Sequence, residues 1–330
     1  MTIYDIAKEA GVAASTVSRV INNKPGIKAE TRERIQELLK KYNFTPDVAA
    51  RGLVMQSSKI IGILMQDIRV VHHIDSAYLI EQDMTKHGYC CITMSTGKTD
   101  EKRAEYIKIL EERRVEGAIL VGSMFAAEKV AKSIQEHLSN IPIVIVNGYL
   151  DLPNVYGVMA DEMGGVQECT ELMISRGKKK LAFVNDADTP SNRKKIEGFK
   201  KAMKAAGWTE EDLWIYQTVE SSMEGGFEAA KQVLQEHPDV QGLVYSIDLT
   251  AVGGIRALKE LGVDVPGQIS VTGVDNSVYG EISAPQLTTL DNRLVELSGA
   301  ASEILLAAMS GKMCDHKRIY PAKIIEREST

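Results

Sequence analysis

Apolar positions at helical spacing in the first segment predict three short helices, over about 3–10, 14–22 and 30–42. Thr2 and Asp5 are spaced as a capping box at the start of the first helix, and a glycine directly after it is expected to end it. The positions expected to pack between the helices are Ile6, Ala7, Ala10, Val17, Val20, Ile35, Leu38 and Leu39. A helix, a glycine turn and a short second helix with polar outward positions form the helix-turn-helix arrangement.

From residue 60 the pattern changes to short apolar runs separated by amphipathic stretches. The runs predicted to be strands are 60–65, 90–94, 117–121, 142–146, 181–184, 242–246 and 269–274. Such alternation is typical of parallel sheets with helices on both faces, and it pauses near 150–160 before it resumes. The sequence therefore predicts an α/β fold with two doubly wound lobes, each including part of the segment after residue 290. Ligands are expected in the cleft between the lobes, beyond the carboxyl ends of the strands.

The length of 330 residues fits about two domains with a smaller appendage. No apolar run approaches the roughly 18 residues of a membrane span, and Asp5, Lys8 and Glu9 interrupt the stretch where a secretory signal would be apolar. A cytoplasmic protein with no membrane partner is therefore expected. The cysteines lack the paired spacing of a zinc site and are expected to be buried small hydrophobic groups, so no metal and no cofactor is predicted. They are Cys90, Cys91, Cys169 and Cys314.

The charge is distributed unevenly along the chain. Residues 1–59 carry a net charge of +4, whereas the other 271 residues carry −10. A basic segment on an acidic chain is expected to present only that segment to a polyanion such as DNA. Because exposed helices are often basic without a partner, the charge only supports the helix-turn-helix interpretation.

Five segments carry a further signal: AKEAGVAASTVSRVIN (7–22), TRERIQELLKKYNFTPDVAARGL (31–53), GVDN (273–276), PQLTTL (285–290) and IIEREST (324–330). Together they resemble the lactose/galactose-repressor (LacI/GalR) family of bacterial transcription regulators. The resemblance implies a DNA-binding head at 1–46, a hinge helix and linker at 47–57, and an effector-binding core of the periplasmic-binding-protein type at 58–330. Within the core, lobe 1 is expected at about 58–159 plus 291–318, and lobe 2 at about 160–290 plus 319–330.

The resemblance implies that the second helix of the head lies in the major groove of DNA. Arg19 is expected to bond the O6 and N7 atoms of a guanine, with a phosphate contact as the alternative. Ala14 and Ser15 stand where family members discriminate between operators, and both are small here. Ala13 replaces the usual Ser or Thr cap, so a weaker helix start is expected. The residues expected to contact phosphates are Tyr4, Thr16, Ser18 and Asn22.

In the hinge, Leu53 matches the leucine that the resemblance implies enters the minor groove and kinks the operator. Val54 follows it where many relatives carry a basic residue, so Arg51 and DNA shape are expected to support this contact. Hinge helices from two subunits would pair across the dyad of a palindromic operator, which implies a homodimer. Since no heptad tail follows IIEREST, a dimer and not a tetramer is expected.

In the cleft, the resemblance implies a site for a small-molecule effector. The residues expected there are His72, His73, Asn147, Lys195, Ser221, Asp248 and Asp275. Asp275 matches an acidic residue that bonds sugar hydroxyls or a purine, with loop capping as its alternative role. Lys195 stands where sugar-binding relatives usually have arginine, and Ser221 stands where they have an aromatic residue. An ordinary aromatic-lined sugar site is therefore not expected.

The pair His72 and His73 leaves several interpretations open. The pair could bind an anionic or metal-chelated effector, or respond to pH. Two neighbouring histidines with no third ligand in spacing are more often polar surface, and that interpretation is favoured here.

The leading hypothesis is a homodimeric, operator-specific regulator, a repressor whose lobes close on a small molecule and move the hinge helices. A first alternative keeps the DNA binding but makes a regulatory protein the trigger. A second alternative is an α/β enzyme. Because the sequence contains no G-x-G-x-x-G after a strand, no P-loop and no catalytic triad in a known order, no enzyme is predicted. A periplasmic solute-binding protein is not expected, because no signal peptide is found.

Overall fold

The computed structural model of this chain describes residues 1–44 and 57–330. They fall into two compact units, Met1–Lys59 and Ile60–Thr330. The predictions for Arg51, Leu53 and most of the hinge lie outside the described residues. Across the two described ranges, no helix is both long and apolar enough to cross a membrane.

The first unit contains the three predicted helices, each within one residue of its expected bounds. They are α1 (Ile3–Ala10), α2 (Ala14–Ile21) and α3 (Ala29–Lys41). The capping box is present, since the Thr2 amide donates to Asp5 Oδ2 at 2.7 Å and the Asp5 amide donates to Thr2 Oγ1 at 3.3 Å. Gly11 ends α1 in the left-handed conformation, with a φ of 65°.

The core of this unit is close to the predicted one. Six of the eight expected positions are buried, namely Ile6, Ala7, Ala10, Val17, Val20 and Ile35, while Leu38 and Leu39 are half-buried against them. Helix α2 begins at Ala13 without a side-chain hydrogen bond to its first turn, as expected from the missing Ser or Thr.

The second unit has two sheets of six strands each within residues 57–330. The first sheet contains β1 (Ile60–Met65), β2 (Cys90–Ser95), β3 (Gly117–Val121), β4 (Ile143–Val146), β5 (Val155–Ala160) and β11 (Lys317–Tyr320). Its order is β11-β5-β4-β3-β1-β2, and all pairs are parallel. One face packs against α4 (Val71–Lys86) and α12 (Leu294–Met309), the other against α5 (Asp100–Glu112) and α6 (Glu128–His137).

The second sheet contains β6 (Leu181–Asn185), β7 (Trp214–Gln217), β8 (Gly242–Tyr245), β9 (Ser270–Val274), β10 (Thr288–Asp291) and β12 (Lys323–Ile325). Its order is β12-β10-β9-β8-β6-β7, and only β10 and β12 pair antiparallel among the described strands. Helices α7 (Glu162–Ser175) and α8 (Pro190–Ala205) cover one face, and α9 (Met223–Glu236) and α10 (Asp248–Glu260) cover the other. The short helix α11 (Val278–Ile282) follows β9.

Strand β1 shows why continuous apolar runs form these sheets. Ile61, Ile63 and Met65 point to the face covered by α4 and α12, whereas Leu64 points to the opposite face. Because both faces carry helices, a strand at the centre of the sheet must be apolar at every position. The predicted α/β fold with two doubly wound lobes is confirmed.

Two expectations about this unit are wrong. The stretch near 150–160, where the sequence predicts a pause in the strand–helix alternation, contains strand β5. Of the cysteines, only Cys169 is fully buried, while Cys91 and Cys314 are half-buried and Cys90 is exposed. Cys90 begins β2, the edge strand of its sheet, so one side of that strand faces solvent.

Candidate functional site

The outward side of α2 carries the residues predicted to contact DNA. Ser15, Arg19 and Asn22 are exposed, whereas Ala14, Thr16 and Ser18 are half-buried. Tyr4 lies on α1 and is 73% exposed. Asn22, expected to be the last residue of the helix, caps it instead, with Nδ2 donating to the Ser18 carbonyl at 2.9 Å.

The loop that follows α2 is held in place by two arginines. Arg32 donates from Nη1 to Asn23 Oδ1 at 3.1 Å and from Nη2 to the Lys24 carbonyl at 2.7 Å. Arg19 donates from Nη2 to the Pro25 carbonyl at 3.1 Å. The Arg19 guanidinium therefore rests against this loop with its remaining face toward solvent.

A cavity of about 820 Å³ lies between the two sheets of the second unit. Its lining comes from the carboxyl ends of strands in both lobes, with Gln66 after β1, Asn147 after β4, Asp186 after β6 and Asp275 after β9. This is where open parallel sheets place their ligands, because the loops that follow the strands can diverge there.

Glu162, at the start of α7, joins the two lobes. Its Oε1 accepts from Asn147 Nδ2 of the first lobe at 3.1 Å and from Ser191 Oγ of the second lobe at 2.7 Å. Lys195 Nζ lies 3.5 Å from the same oxygen. Asn147 adopts a left-handed conformation with a φ of 62°, and its Oδ1 accepts from the Ala160 amide at 3.2 Å. Both polar ends of Asn147 are thus occupied within the protein.

Lys195 is the buried cation of the cavity, with 4% of its side chain exposed. Its Nζ also donates to the Ser246 carbonyl at 3.0 Å and to Asn192 Oδ1 at 3.3 Å. Burial alone would lower the pKa of Lys195, but the carboxylates of Glu162, Asp275 and Asp186 outweigh burial and raise it. Lys195 therefore keeps its charge inside the cavity.

Asp275 also lines the cavity, and none of the described lysines or arginines forms an ion pair with it. Its Oδ1 accepts from Asn292 Nδ2 at 3.1 Å and lies 3.9 Å from His72 Nδ1. Burial, together with the nearby Glu162 and Asp186 carboxylates, raises the pKa of Asp275 to about 7, although Lys195 and Asn292 act in the other direction.

The two neighbouring histidines line the cavity, so their assignment to polar surface is wrong. The side chain of His72 is 15% exposed, and His73 as a whole is 8% exposed. Burial lowers the pKa of each imidazole to about 4, and Lys195 adds to the effect on His72. Both rings are therefore neutral at pH 7, and neither Nδ1 atom has a hydrogen-bond partner.

Two family models match this chain. The model of the LacI family of bacterial regulatory proteins matches residues 2–47. The model described as periplasmic binding proteins and sugar binding domain of the LacI family matches residues 58–324. The chain belongs to the LacI family.

Full-length relatives agree with this assignment. An HTH-type transcriptional regulator of Lachnoclostridium phytofermentans is 29% identical over 332 residues, covering 100% of this chain and 99% of the relative. Catabolite control protein A of Priestia megaterium is 26% identical, again covering 100% of this chain and 99% of the relative. A solved lac repressor dimer, bound to operator and an anti-inducer, shares the fold with a TM-score of 0.90 at 22% identity, covering 100% of this chain and 98% of that chain.

This LacI-family chain is a DNA-binding transcriptional regulator and not an enzyme. Six of the residues predicted for its cleft line the cavity, namely His72, His73, Asn147, Lys195, Ser221 and Asp275.

Asp248 does not line the cavity, and its expected place there is wrong. It is fully buried at the start of α10, where it accepts from the Ser277 amide at 2.7 Å and from Thr289 Oγ1 at 2.5 Å. Burial and the nearby Asp275 raise the pKa of Asp248 to about 7. In this regulator Asp248 holds the loop after β9, which also carries Asp275.

The cavity contains polar residues that the sequence predictions missed. Asp186 accepts from Ser221 Oγ and Ser246 Oγ, both at 2.6 Å, and from Asn192 Nδ2 at 2.8 Å. Asp186 lies two residues after the end of the predicted strand 181–184. Since ligand-binding residues are expected after strand ends, this position could have identified Asp186 as a cavity residue. Glu162 directly follows Asp161 after β5, a strand that was not predicted, so its position carried no signal.

Proposed function

We propose that this LacI-family regulator is a homodimeric repressor of a palindromic operator, and that a small molecule bound between its lobes controls its operator affinity. In this proposal residues 1–46 bind DNA, residues 47–57 form the hinge, and residues 58–330 bind the effector and the second subunit. Such a regulator would act in the cytoplasm.

The cavity between the two sheets is the observation that carries the effector part of the proposal. It occupies about 820 Å³, it is lined by strand ends from both lobes, and it belongs to the same chain as a helix-turn-helix head. A cavity of this size accommodates a small polar molecule.

The hydrogen bonds at Glu162 support a way for such a molecule to act. They connect Asn147 of the first lobe with Ser191 and Lys195 of the second. A ligand that adds or replaces contacts across this junction has different affinities for different lobe arrangements. An effector acts only through that difference, which is typically about 1–3 kcal/mol.

In the head, the proposed base contacts are Ala14, Ser15 and Arg19. The proposed phosphate contacts are Tyr4, Thr16, Ser18 and Asn22. The exposure of Tyr4, Ser15, Arg19 and Asn22 supports this assignment, because the second helix of such a motif enters the major groove. The other three residues, Ala14, Thr16 and Ser18, are half-buried on α2. Arg19 would leave the Pro25 carbonyl and turn its planar fork to a base edge.

Asp275→Ala tests the effector proposal. The variant should fold and bind operator, but lose its response to a molecule found by thermal-shift screening of the wild-type protein, because a ligand donor would be left unpaired. The expected loss of ligand affinity corresponds to about 1–3 kcal/mol. Isothermal titration calorimetry and operator titrations measure the two properties, and Asp151→Ala, at an exposed position, is the control.

A regulatory protein as the trigger is the second candidate. It is favoured by the lining of the cavity, which among the described residues contains no Phe, Tyr or Trp ring on which a sugar or base could stack. A wild-type protein that responds to no small molecule, while a protein from the cell changes its operator affinity, would replace the first candidate by the second.

A further inference from the structure

We propose that the cavity takes a hydroxyl-rich ligand that carries a protonated amine, and that it discriminates against ligands that carry a carboxylate or phosphate. This inference rests on the proposed function, because it names the chemical class of the effector. It is carried by the pairing of charges in the cavity and by a buried acceptor that lacks a partner.

Three of the four basic side chains of the described lining, those of Lys195, Arg193 and Arg103, are paired within the protein, and the fourth, Lys98, is exposed. The ammonium group of Lys195 contacts Glu162, Asn192 and the Ser246 carbonyl. These three contacts use all three of its N–H donors. Arg193 pairs with Asp188 through Nε at 2.7 Å and Nη2 at 3.0 Å.

Arg103 is paired through Nη1 with Asp100 and through Nη2 with the Lys98 carbonyl at 2.8 Å, while its Nε has no hydrogen-bond partner. An anionic ligand would therefore have to displace one of these ion pairs or bind at the exposed Lys98. The described lining contains seven carboxyl groups and four basic side chains, so those pairs leave an excess of negative charge.

Asp186 and Asp275 contribute to that excess in the lining of the cavity. The described residues provide neither of them with an ion pair to lysine or arginine. Asp186 receives hydrogen bonds from neutral donors, and Asp275 receives one from Asn292. Hydrogen bonds from neutral groups orient a carboxylate, but they do not cancel its charge.

Asn292 supplies a second, independent observation. It lines the cavity, is 1% exposed, and donates from Nδ2 to Asp275. Its Oδ1 atom is buried and has no hydrogen-bond partner. Asp275 has no ion pair of its own, and its charge is offset only by the nearby Lys195, which is already bonded elsewhere. The unpaired acceptor beside it calls for a donor, and an ammonium group supplies three donors with a positive charge.

The surroundings of Asp275 strengthen the preference for a cation. A smaller cavity of about 160 Å³ shares His72 and Asp275 with the main one. Its described lining includes Asp75, Asp291 and Glu296 and contains no lysine or arginine. Arg293 lies nearby but pairs with Glu296 at 2.5 Å.

The titration behaviour of the site is consistent with this charge distribution. The histidines add no positive charge at pH 7, since burial holds the pKa of both near 4. The raised pKa of Asp275, at about 7, means that ionising it in the empty cavity is unfavourable. A bound ammonium group would stabilise the ionised form.

The proposal is tested with matched sets of three ligands that share one carbon skeleton and are neutral, cationic and anionic. Suitable probes are glucose, glucosamine and glucuronate; galactose, galactosamine and galacturonate; and sorbitol, 1-amino-1-deoxysorbitol and gluconate. Affinities for the full-length protein are measured by calorimetry at pH 7. In at least one set the amine should bind about tenfold or more tightly than the neutral compound, and the acid should bind most weakly.

Two variants connect that preference to its proposed cause. Asp275→Asn should reduce the advantage of the amine over the neutral compound to less than about threefold, and so should Asp186→Asn, which serves if the first variant does not fold. Glu105→Gln removes a charge of the same sign from an exposed position of α5 and should leave the preference unchanged.

The remaining outcomes separate the two proposals. An acid that binds most tightly, or a neutral compound that binds as tightly as its amine, overturns the ligand class but leaves a small-molecule effector in place. Absence of binding by every probe also overturns the ligand class. If, in addition, the small-molecule fraction of a cell extract leaves operator binding unchanged, the proposed effector control fails as well.

Discussion

Arg19 is the residue for which both the sequence and the structure support a specific contact with DNA. It is exposed on α2, and its guanidinium rests on the Pro25 carbonyl, within reach of solvent. Arg19→Ala is expected to cost about 1–3 kcal/mol of operator affinity and to relax the preference at one base pair in each half-site. Binding-site selection with purified protein measures both effects, and Lys24→Ala, a loop cation, is the comparison. Weaker binding with an unchanged base preference would assign Arg19 to a phosphate instead.

His73 gives a pH prediction whose sign follows from its burial. Its pKa is about 4 in the folded protein and 6.5 in an unfolded chain, so between these values the unfolded state binds more protons. The wild-type protein therefore loses stability as the pH falls through this window. His73→Gln removes that loss, and its free energy of unfolding relative to wild type should rise by on the order of 1–2 kcal/mol between pH 7 and pH 5.

Urea denaturation at each pH measures this difference. The raised pKa values of Asp248 and Asp275 give the opposite slope, since stability falls as the pH rises from about 4 to about 7, but both proteins share that contribution. His87→Gln, at an exposed position of the same lobe, should follow the wild-type profile. Parallel profiles for His73→Gln and wild type would contradict the assignment.

At the scale of helices, two glycines set the distance between α9 and α10. A Cβ atom on Gly253 would lie 1.9 Å from the Met223 carbonyl oxygen, and one on Gly226 would lie 2.0 Å from the Thr250 carbonyl oxygen. Gly253→Ala must therefore push the two backbones apart and should lower the free energy of unfolding by about 1–3 kcal/mol or more. Gly299→Ala, on the exposed side of α12 with no atom within 4 Å, should instead raise it by about 0.5–1 kcal/mol. Chemical denaturation of the two variants distinguishes packing from helix propensity, and a stabilised Gly253→Ala would refute the packing argument.

Strand position in the sheet explains only part of which strands the sequence could predict, since the edge strand β2 was predicted and the inner strand β5 was not. Strands with helices on both faces, such as β1 and β3, are apolar at nearly every position and were predicted. Strands β7 and β11 lie at sheet edges and alternate between exposed and half-buried residues, so neither shows an apolar run longer than three residues. The short strands β10 and β12 pair with each other near the end of the chain, and their sequences, TTLD and KII, contain no apolar run of strand length.

The missing prediction of β5 also limits what could be predicted of the cavity. Asp275 and Asn147 follow predicted strands, and both line the cavity. Glu162 follows β5, which was not predicted, although this carboxylate connects the two lobes. The partnering of Lys195 with Glu162 depends on how one lobe faces the other, and spacing along the chain does not contain that information.

At the scale of the whole molecule, the two units differ greatly in the size of their cores. The head buries six apolar residues in one cluster and has no cysteine that could form a disulfide bond. The second unit buries four larger clusters on the faces of two sheets. Small domains without disulfide bonds or a structural metal are marginally stable, so the head is expected to unfold at a lower temperature than the second unit.

Two matched substitutions test whether the units unfold separately. Ile35 and Ile80 are both fully buried, the first in the head and the second in the lobe that contains α4. Replacing a buried isoleucine by alanine costs about 2–5 kcal/mol, which approaches the whole stability of a small domain. Ile35→Ala should therefore abolish the lower calorimetric transition and operator binding while leaving the upper transition in place. Ile80→Ala should lower the upper transition and leave the lower one in place, because the removed contacts belong to the other core. A single transition that both substitutions shift equally would show that the two units unfold as one.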